Sequence, residues 1–200
     1  MSNKAQTDNR KLILASSSAY RQGLLARVAT EFECISPNID ESRHDNEQPK
    51  ELAKRLARGK ALTIANEHPH ATVIGSDQVP SCNSRILGKP GNHQKAVEQL
   101  LAASGQTVTF LTAVCILDPV NRSRYEHIDK TTVRFRQFDR RLAESYLRHD
   151  QPYDCAGSFK IEGAGFVLFE SVKTDDPTAL IGLPMIWVSD VLLELGYLIP

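Results

Sequence analysis

The chain has 200 residues, of which 41% are hydrophobic and 24% are charged, values typical of a single globular domain. Its 24 Lys and Arg residues balance 24 Asp and Glu residues, and this zero net charge gives no indication of a nucleic-acid partner. No apolar run reaches the roughly 18–20 residues of a membrane span, and no secretory segment is recognisable. We therefore predict a cytoplasmic protein that contacts neither nucleic acid nor membrane.

The four cysteines, Cys34, Cys82, Cys115 and Cys155, are far apart and form no C-x-x-C pair. This spacing argues against a structural zinc site. We interpret them as free thiols in a reducing compartment. Cys155 has no histidine near it in sequence, and a lone cysteine is usually a small buried hydrophobic residue.

The first half of the chain alternates predicted strands with predicted helices. We predict a flexible tail at residues 1–10 and a single domain at residues 11–200. The predicted elements are a strand at 11–15, a helix at 21–29, a strand at 32–36, a helix at 50–66 and a strand at 72–77. Apolar residues at helical spacing define the helices, and Pro49 is a favourable first-turn residue for the second one.

The second half predicts paired strands between helices. Its elements are a hairpin excursion at 80–93, a helix at 94–103, antiparallel strands at 107–117 and 126–138, a helix at 139–149, a strand at 166–170 and a helix at 185–195. This order predicts an α/β fold with a mixed, partly antiparallel, twisted sheet flanked by helices.

Two residues at the edges of apolar segments each have two interpretations. Lys60 falls on the apolar stripe of the 50–66 helix, where it either snorkels to water or reaches into a site between helix and sheet. Asp77 follows a buried run at the predicted end of a strand. It is either a turn residue or a ligand-binding carboxylate at the carboxyl edge of the sheet. Taken singly, the structural interpretation of each is the commoner one.

A serine-rich turn follows the first predicted strand. Ser16, Ser17 and Ser18 precede a helix that carries Arg21 in its first turn. Hydroxyls, backbone N–H groups and a cation at the positive end of a helix suit a phosphate group. The alternative is an ordinary serine N-cap.

Further polar residues follow other predicted strands, and they line one cleft if these strand ends share an edge. The segment at 88–90 is predicted to open a helix, and Lys89 in it either binds a second phosphate or is an exposed turn lysine. Glu41 and Asp77 together offer the oxygen ligands that Mg²⁺ prefers when it also bridges substrate phosphates, although Glu41 alone is typical of a solvated acidic loop. Together, the cations, the carboxylates and the serine-rich turn predict a nucleotide polyphosphate as the ligand.

Seven short motifs occur in a fixed order along the chain. They are LILASSSAYR, DES, RLARGKA, IGSDQV, LGKP, AGSFKIEGAG and TALIGLP. From about residue 11 to residue 195 they resemble the Maf family of nucleotide pyrophosphatases, once described as septum-formation inhibitors. The closing pair, CAGSFKIEG and TALIGLP, resembles the 7-methyl-GTP pyrophosphatase subfamily, whereas members acting on dTTP and UTP carry a Gly-Gly-Tyr and a Gln there. Ala19 departs from the Pro that many members have.

The resemblance implies a nucleotide diphosphatase that hydrolyses a nucleoside triphosphate to the monophosphate and pyrophosphate with a divalent metal, Mg²⁺ or Mn²⁺. It also implies two lobes around a central cleft, an architecture similar to that of pyrophosphatases for deaminated purines. The implied catalytic residues are Arg21, Glu41, Lys60, Asp77 and Lys89. Asp77 is the implied proton acceptor, acting directly or as a metal ligand with Glu41. The resemblance also makes a phosphate contact the better explanation of Lys60.

Base preference is implied to depend on Tyr20, Gln78 and Glu162. Methylation at N7 gives guanine a positive charge, which the face of Tyr20 would attract by about 0.5–2 kcal/mol. An ionised Glu162 would accept hydrogen bonds from the guanine N1–H and exocyclic amino group together. The alternative is that Tyr20 packs in the core and that Glu162 is a surface carboxylate.

Two other functions stay open at this point. One is a non-catalytic regulator of septum formation that binds a partner protein through the cleft. The other is a pyrophosphatase that prefers dTTP and UTP or deaminated purines. The oligomeric state also stays open, with a homodimer as one alternative.

Overall fold

A computed structural model describes residues 10–83 and 85–199, so the tail predicted at 1–10 lies outside the described residues except for Arg10. In this range the helices are α1 (Ala19–Leu25), α2 (Pro49–Glu67), α3 (His93–Ala103), α4 (Arg140–Asp150) and α5 (Met185–Glu194). The strands are β1 (Leu12–Ala15), β2 (Glu33–Cys34), β3 (Thr72–Cys82), β4 (Arg85–Ile86), β5 (Thr107–Asp118), β6 (Ser123–Phe135) and β7 (Phe169–Lys173). Two 3₁₀ turns cover Gly165–Leu168 and Ala179–Ile181.

The strands form one seven-stranded sheet in the order β2-β1-β3-β5-β6-β7, with β4 paired to β3. β1 runs parallel to both β2 and β3, and the other pairs are antiparallel. Helices cover both faces of this sheet. The predicted α/β fold with a mixed, partly antiparallel sheet is therefore confirmed.

Alternation along the strands divides the core between the two faces, because successive side chains in a strand point in opposite directions. Val73 and Val79 of β3 pack beneath α2, whereas Ile74 packs against α1 and α5. The face opposite α2 holds two clusters, one under α1 and α5 and another under α3 and α4 around Phe110 and Phe135.

A close approach between α2 and β3 fixes the helix on the sheet. A Cβ atom at Gly75 would lie 2.3 Å from the Ala57 carbonyl oxygen and 2.6 Å from the Ala61 amide nitrogen. Only glycine fits this contact without a backbone shift. The small residues on both elements therefore bring the turn of α2 that carries Lys60, between Ala57 and Ala61, beside the stretch of β3 that carries Asp77.

The predicted end of β3 is wrong. The strand continues to Cys82, so Asp77 lies in its middle rather than at its exit. The reason is that β5 is 12 residues long and pairs with β3 from Val73 to Cys82, which satisfies the backbone of one edge throughout.

Other predicted boundaries also differ from the structure. The strand predicted at 166–170 begins as a 3₁₀ turn, and β7 follows at Phe169–Lys173. β2 covers only two residues, and α1 ends at Leu25. The segment at 88–90 does not open a helix, because α3 begins at His93 with Asn92 as its N-cap. Across the described residues, no helix is both long and apolar enough to cross a bilayer.

Candidate active site

A cavity of about 800 Å³ lies beside β3, where the sheet has a gap. β1 ends at Ala15 opposite Gly75, and β4 pairs only with Ser81 and Cys82. Between these points β3 keeps β5 on its other side, and residues 77–80 line the cavity. The cleft therefore opens at the carboxyl end of β1. In contrast, β3, which carries Asp77, continues past this point along the cleft.

All of the site residues predicted from the sequence line this cavity. They are Ser16, Ser18, Tyr20, Arg21, Glu41, Lys60, Asp77, Gln78, Lys89 and Glu162. The structure thus brings together segments from residue 16 to residue 162. The chemical role of each residue stays a prediction.

Lys60, Asp77 and Glu41 form an ionic trio. The Lys60 Nζ atom lies 2.7 Å from Asp77 Oδ1 and 2.8 Å from Glu41 Oε1. The side chains of Lys60 and Asp77 are only 8% and 11% exposed, so Lys60 does not snorkel to bulk solvent. Burial opposes ionisation of Glu41, but the hydrogen bond and charge of Lys60, with Lys89 and Arg21, lower the pKa of Glu41 below its ordinary value.

The loop that carries Glu41 is fastened to α2 by Arg55. The Arg55 guanidinium donates to Glu47 at 2.7 and 2.9 Å and to the Ser42 carbonyl oxygen at 2.8 Å. The hydrogen bond from Arg55 lowers the pKa of Glu47 to about 2. This anchor was not predicted from the sequence. The feature that could have indicated it is Arg55 itself, an arginine on α2 five residues before Lys60.

A divalent cation has two carboxylates available in the cavity. Lys60 contacts Asp77 Oδ1 and Glu41 Oε1, which leaves the second oxygen of each carboxylate for another partner. Among residues 10–83 and 85–199, no group of three or more His, Cys, Asp or Glu side chains is arranged to hold a metal. This donor set fits Mg²⁺, which often binds through one or two carboxylates together with water and substrate phosphates.

The serine-rich turn is ordered by its own hydrogen bonds. Ser18 is the N-cap of α1 and accepts from the Arg21 amide at 3.4 Å. Ser16 Oγ accepts from the Ser18 amide at 3.1 Å and from Arg21 Nη1 at 3.4 Å. The capping role is therefore present, and in these contacts both serine oxygens act as acceptors.

Arg21 is held by a segment that the sequence analysis did not assign to the site. Its Nε donates to the Gly182 carbonyl oxygen at 2.8 Å, and Ser76 Oγ donates to the same oxygen at 3.0 Å. Gly182 has φ +127°, a conformation that favours glycine. Burial lowers the pKa of Arg21, and the carboxylates of Asp77 and Glu41 offset part of this effect.

Gln78 lies next to Asp77 but points to the opposite face of the sheet. Its Nε2 donates to the carbonyl oxygens of Ala179 and Leu180 at 2.9 and 3.1 Å, and to Thr112 Oγ1 at 3.0 Å. The amide nitrogen is therefore engaged by the protein. In the sequence, this segment is indicated by the TALIGLP motif, which contains these carbonyl groups.

Tyr20, Lys160 and Glu162 form what we call the base end of the cavity. The Lys160 Nζ atom lies 5.8 Å from the centroid of the Tyr20 ring. Glu162 is exposed, and Tyr20 is half-buried rather than packed in the core. The sequence analysis missed Lys160, although it lies in the glycine-rich motif.

Two further side chains complete the lining. Cys155 Sγ lies 3.8 Å from the Tyr20 hydroxyl oxygen, and burial raises the pKa of this thiol to about 11, so that it stays protonated and is a poor nucleophile. Burial likewise raises the pKa of Tyr20, which is therefore a neutral phenol. Lys89 is exposed in the segment after β4.

Comparisons with known proteins identify the family of this chain. The sequence model of the Maf-like protein family matches residues 11–195. A 7-methyl-GTP pyrophosphatase of Pseudomonas savastanoi pv. phaseolicola is 50% identical over 192 residues, which cover 94% of this chain and 98% of the relative. Proteins of the same name from Pseudomonas fluorescens and Nitrosococcus oceani are 50% and 46% identical over 189 and 186 residues. These alignments cover 94% and 93% of this chain, and 98% and 94% of the relatives.

Proposed function

This chain belongs to the Maf family, and we propose on that premise that it is a nucleoside triphosphate pyrophosphatase. The proposed substrate is 7-methyl-GTP or a closely related modified nucleotide, cleaved to the monophosphate and pyrophosphate. The ionic trio beside Arg21 is the observation that carries the proposal, because it places two cations and two carboxylates in one cavity of about 800 Å³. The near-full-length relatives named 7-methyl-GTP pyrophosphatase support the choice of base. A cytoplasmic location is part of the same proposal.

The triphosphate would bind between the serine-rich turn and the two lysines. Because Ser16 and Ser18 act as acceptors in the contacts they make, their hydroxyl hydrogens can donate to phosphate oxygens. Arg21 uses Nε and one Nη1 contact within the protein, which leaves guanidinium N–H groups for the substrate. Lys60 and Lys89 would add positive charge where negative charge develops during phosphoryl transfer.

Asp77 would act on the water that attacks the α-phosphorus. In this reaction the new bond joins the water oxygen to the α-phosphorus, the α–β anhydride bond breaks, and pyrophosphate leaves with the bond electrons. Lys60 Nζ donates to Asp77 Oδ1 at 2.7 Å, so the second oxygen of this carboxylate would be the atom that accepts a proton from water.

The second oxygens of Asp77 and Glu41 would hold Mg²⁺ or Mn²⁺ together with the substrate phosphates. Such an ion supplies charge neutralisation and makes a coordinated water more acidic. Asp77 either takes the proton itself or holds this ion, and both roles need the carboxylate ionised and inside the cavity.

The base would lie against Tyr20. The face of this ring would attract the positive charge of a methylated guanine. Glu162 would accept from the guanine N1–H and amino groups. Gln78 would offer its Oε1 atom, because its amide nitrogen is engaged by protein acceptors.

The test is pyrophosphate release from 7-methyl-GTP, GTP, UTP, dTTP and ITP, each with and without Mg²⁺ or Mn²⁺. We expect 7-methyl-GTP to have the highest kcat/KM and every activity to need the metal. A pyrimidine nucleotide or ITP with the highest value would overturn the assignment of the base. No release from any nucleotide would overturn the enzymatic function and favour a non-catalytic regulator.

A further inference from the structure

The segment that carries Glu162 has little regular structure of its own. Residues 161–164 form turns between α4 and the 3₁₀ turn at Gly165–Leu168, and Glu162 is exposed on them. An exposed carboxylate can select a base only when its backbone is held in place. The contacts that hold this segment therefore bear on specificity.

The last turn of α4 holds the segment on both sides of Glu162. The Lys160 amide donates to the Tyr146 hydroxyl oxygen at 2.9 Å. The Ala164 amide donates to Asp150 Oδ2 at 2.8 Å. Tyr146 and Asp150 are four residues apart, so they lie on the same face of the helix. We name these two side chains the α4 clamp.

Asp150 also fixes the neighbouring cation through its backbone. Its carbonyl oxygen accepts from Lys160 Nζ at 3.2 Å, and this ammonium is the group near the Tyr20 ring. The Asp150 side chain is only 8% exposed although it carries a carboxyl group. A carboxylate is rarely buried without a hydrogen-bonded partner, and the Ala164 amide provides one.

Two glycines fit the segment tightly against the clamp. A Cβ atom at Gly163 would lie 2.5 Å from Asp150 Oδ2, and one at Gly165 would lie 2.2 Å from the Lys160 carbonyl oxygen. The Gly165 amide donates to that same carbonyl oxygen at 3.1 Å, which closes the segment into a turn. Its shape is therefore set by the clamp and by this turn together.

We propose that Asp150, together with Tyr146, is a positioning residue for base selection, because it fixes the backbone on both sides of Glu162. This inference rests on the proposed function. Asp150 is not among the residues that line the cavity. Its loss is therefore expected to change which nucleotide is preferred and to leave the phosphate chemistry in place.

The test compares the ratio of kcat/KM for 7-methyl-GTP to that for UTP in the parent protein and its variants. In Asp150→Ala we expect this ratio to fall about tenfold, as for a weakened hydrogen bond to the base, while kcat for UTP stays within about twofold of the parent value. Asp150→Asn keeps an oxygen acceptor for the Ala164 amide and should keep most of the ratio. Gly163→Ala displaces the carboxylate without removing it and should lower the ratio in the same direction.

Asp118→Ala is the matched control. Asp118 is also a buried carboxylate that accepts from a backbone amide, that of Asn121 at 2.9 Å, but it lies outside the cavity. This variant should lose stability and keep the parent ratio. Hydrogen exchange gives a readout independent of activity, since only Asp150→Ala and Gly163→Ala should exchange the Ala164 amide faster.

The possible outcomes separate the two proposals. An active parent whose ratio is unchanged in Asp150→Ala overturns the clamp alone. An equal loss in Asp150→Asn and Asp150→Ala also overturns it, because the acceptor geometry would then not matter. A parent that hydrolyses no nucleotide overturns the proposed function, and with it the link between the clamp and base selection.

Discussion

The two ends of the cavity are built differently. In the ionic trio, Lys60 and Asp77 come from a helix and a strand that pack directly on each other, and both side chains are buried. At the base end, Glu162 is exposed on turns that another helix holds. Under the proposed function, sheet packing would fix the charges of the reaction, whereas contacts from outside the cavity would fix the choice of base.

Adjacent residues of β3 serve these two ends. Asp77 faces α2 and contacts Lys60, while Gln78 faces the segment at 179–182 and contacts its carbonyl groups. Because neighbouring side chains in a strand point to opposite faces, one strand can take part in both functions. A change at one end should therefore leave the other largely intact, and the following variants test this separation.

The largest effect is expected for Lys60→Met. Removing the ammonium leaves the carboxylates of Asp77 and Glu41 without their shared cation and removes positive charge from the transition state. We expect kcat to fall about 100- to 1,000-fold with the order of preferred nucleotides unchanged. Steady-state kinetics on 7-methyl-GTP and UTP measure both quantities.

Arg58→Met is the matched control for Lys60→Met. Arg58 lies on the same helix and donates to Glu126 at 2.7 Å, but this pair is exposed and lies outside the cavity. Its kcat should equal that of the parent. A Lys60→Met variant that changed nucleotide preference as strongly as turnover would contradict the separation of the two ends.

A smaller effect is expected for Glu162→Gln, and it should change nucleotide preference rather than turnover. The amide replaces one charged acceptor by a donor, so the kcat/KM ratio of 7-methyl-GTP to UTP should fall about 10- to 100-fold, the range for a hydrogen bond to a charged group. The kcat for UTP should not fall. An unchanged ratio across the nucleotide panel would remove Glu162 from base selection.

A still smaller effect is expected for Tyr20→Leu. Loss of the aromatic face should raise KM for 7-methyl-GTP about 2- to 30-fold with little change in kcat, because a cation–π contact contributes about 0.5–2 kcal/mol. Tyr20→Phe keeps the ring and should keep KM near the parent value. Equal KM values for the Leu and Phe variants would show that stacking does not contribute.

The smallest effect concerns the stability of the loop that carries Glu41 and the dependence of this stability on pH. The pKa of Glu47 is lowered from 4.5 to about 2 by Arg55, so its stabilising contribution is complete above pH 4.5 and is lost as the pH falls toward 2. The melting temperature of Glu47→Gln should therefore lie below that of the parent near pH 6, and the difference should vanish toward pH 2. A difference that does not depend on pH would contradict this explanation.

The sequence predicts the ionic trio better than the base end. Lys60 interrupts the apolar stripe of a helix, and Asp77 interrupts the hydrophobic pattern of a buried strand. Both residues are therefore noticeable in the sequence, and packing of the helix on the sheet brings them together. The predicted length of β3 is wrong because it depends on β5, whose paired residues lie 26 to 44 positions away in the chain, from Cys82↔Val108 to Val73↔Leu117. Local patterns carry no information on such pairing.

The residues that hold the base end in place are not recognisable from the local sequence. Asp150 looks like an ordinary helix-terminal carboxylate in the sequence, and only the fold brings it to the Ala164 amide. The carbonyl groups that bind Arg21 and Gln78 are backbone atoms, so residue type does not identify them. The motif resemblance marked these segments without giving their contacts.

The most direct test of the central claim is pyrophosphate release from 7-methyl-GTP by Asp77→Asn compared with the parent protein. This change keeps the size of the side chain and removes the charge that the reaction needs. We predict that kcat falls about 100- to 10,000-fold, the usual range for loss of a general base, with the melting temperature showing that the variant is folded. A folded Asp77→Asn protein that releases pyrophosphate at the parent rate would contradict the account.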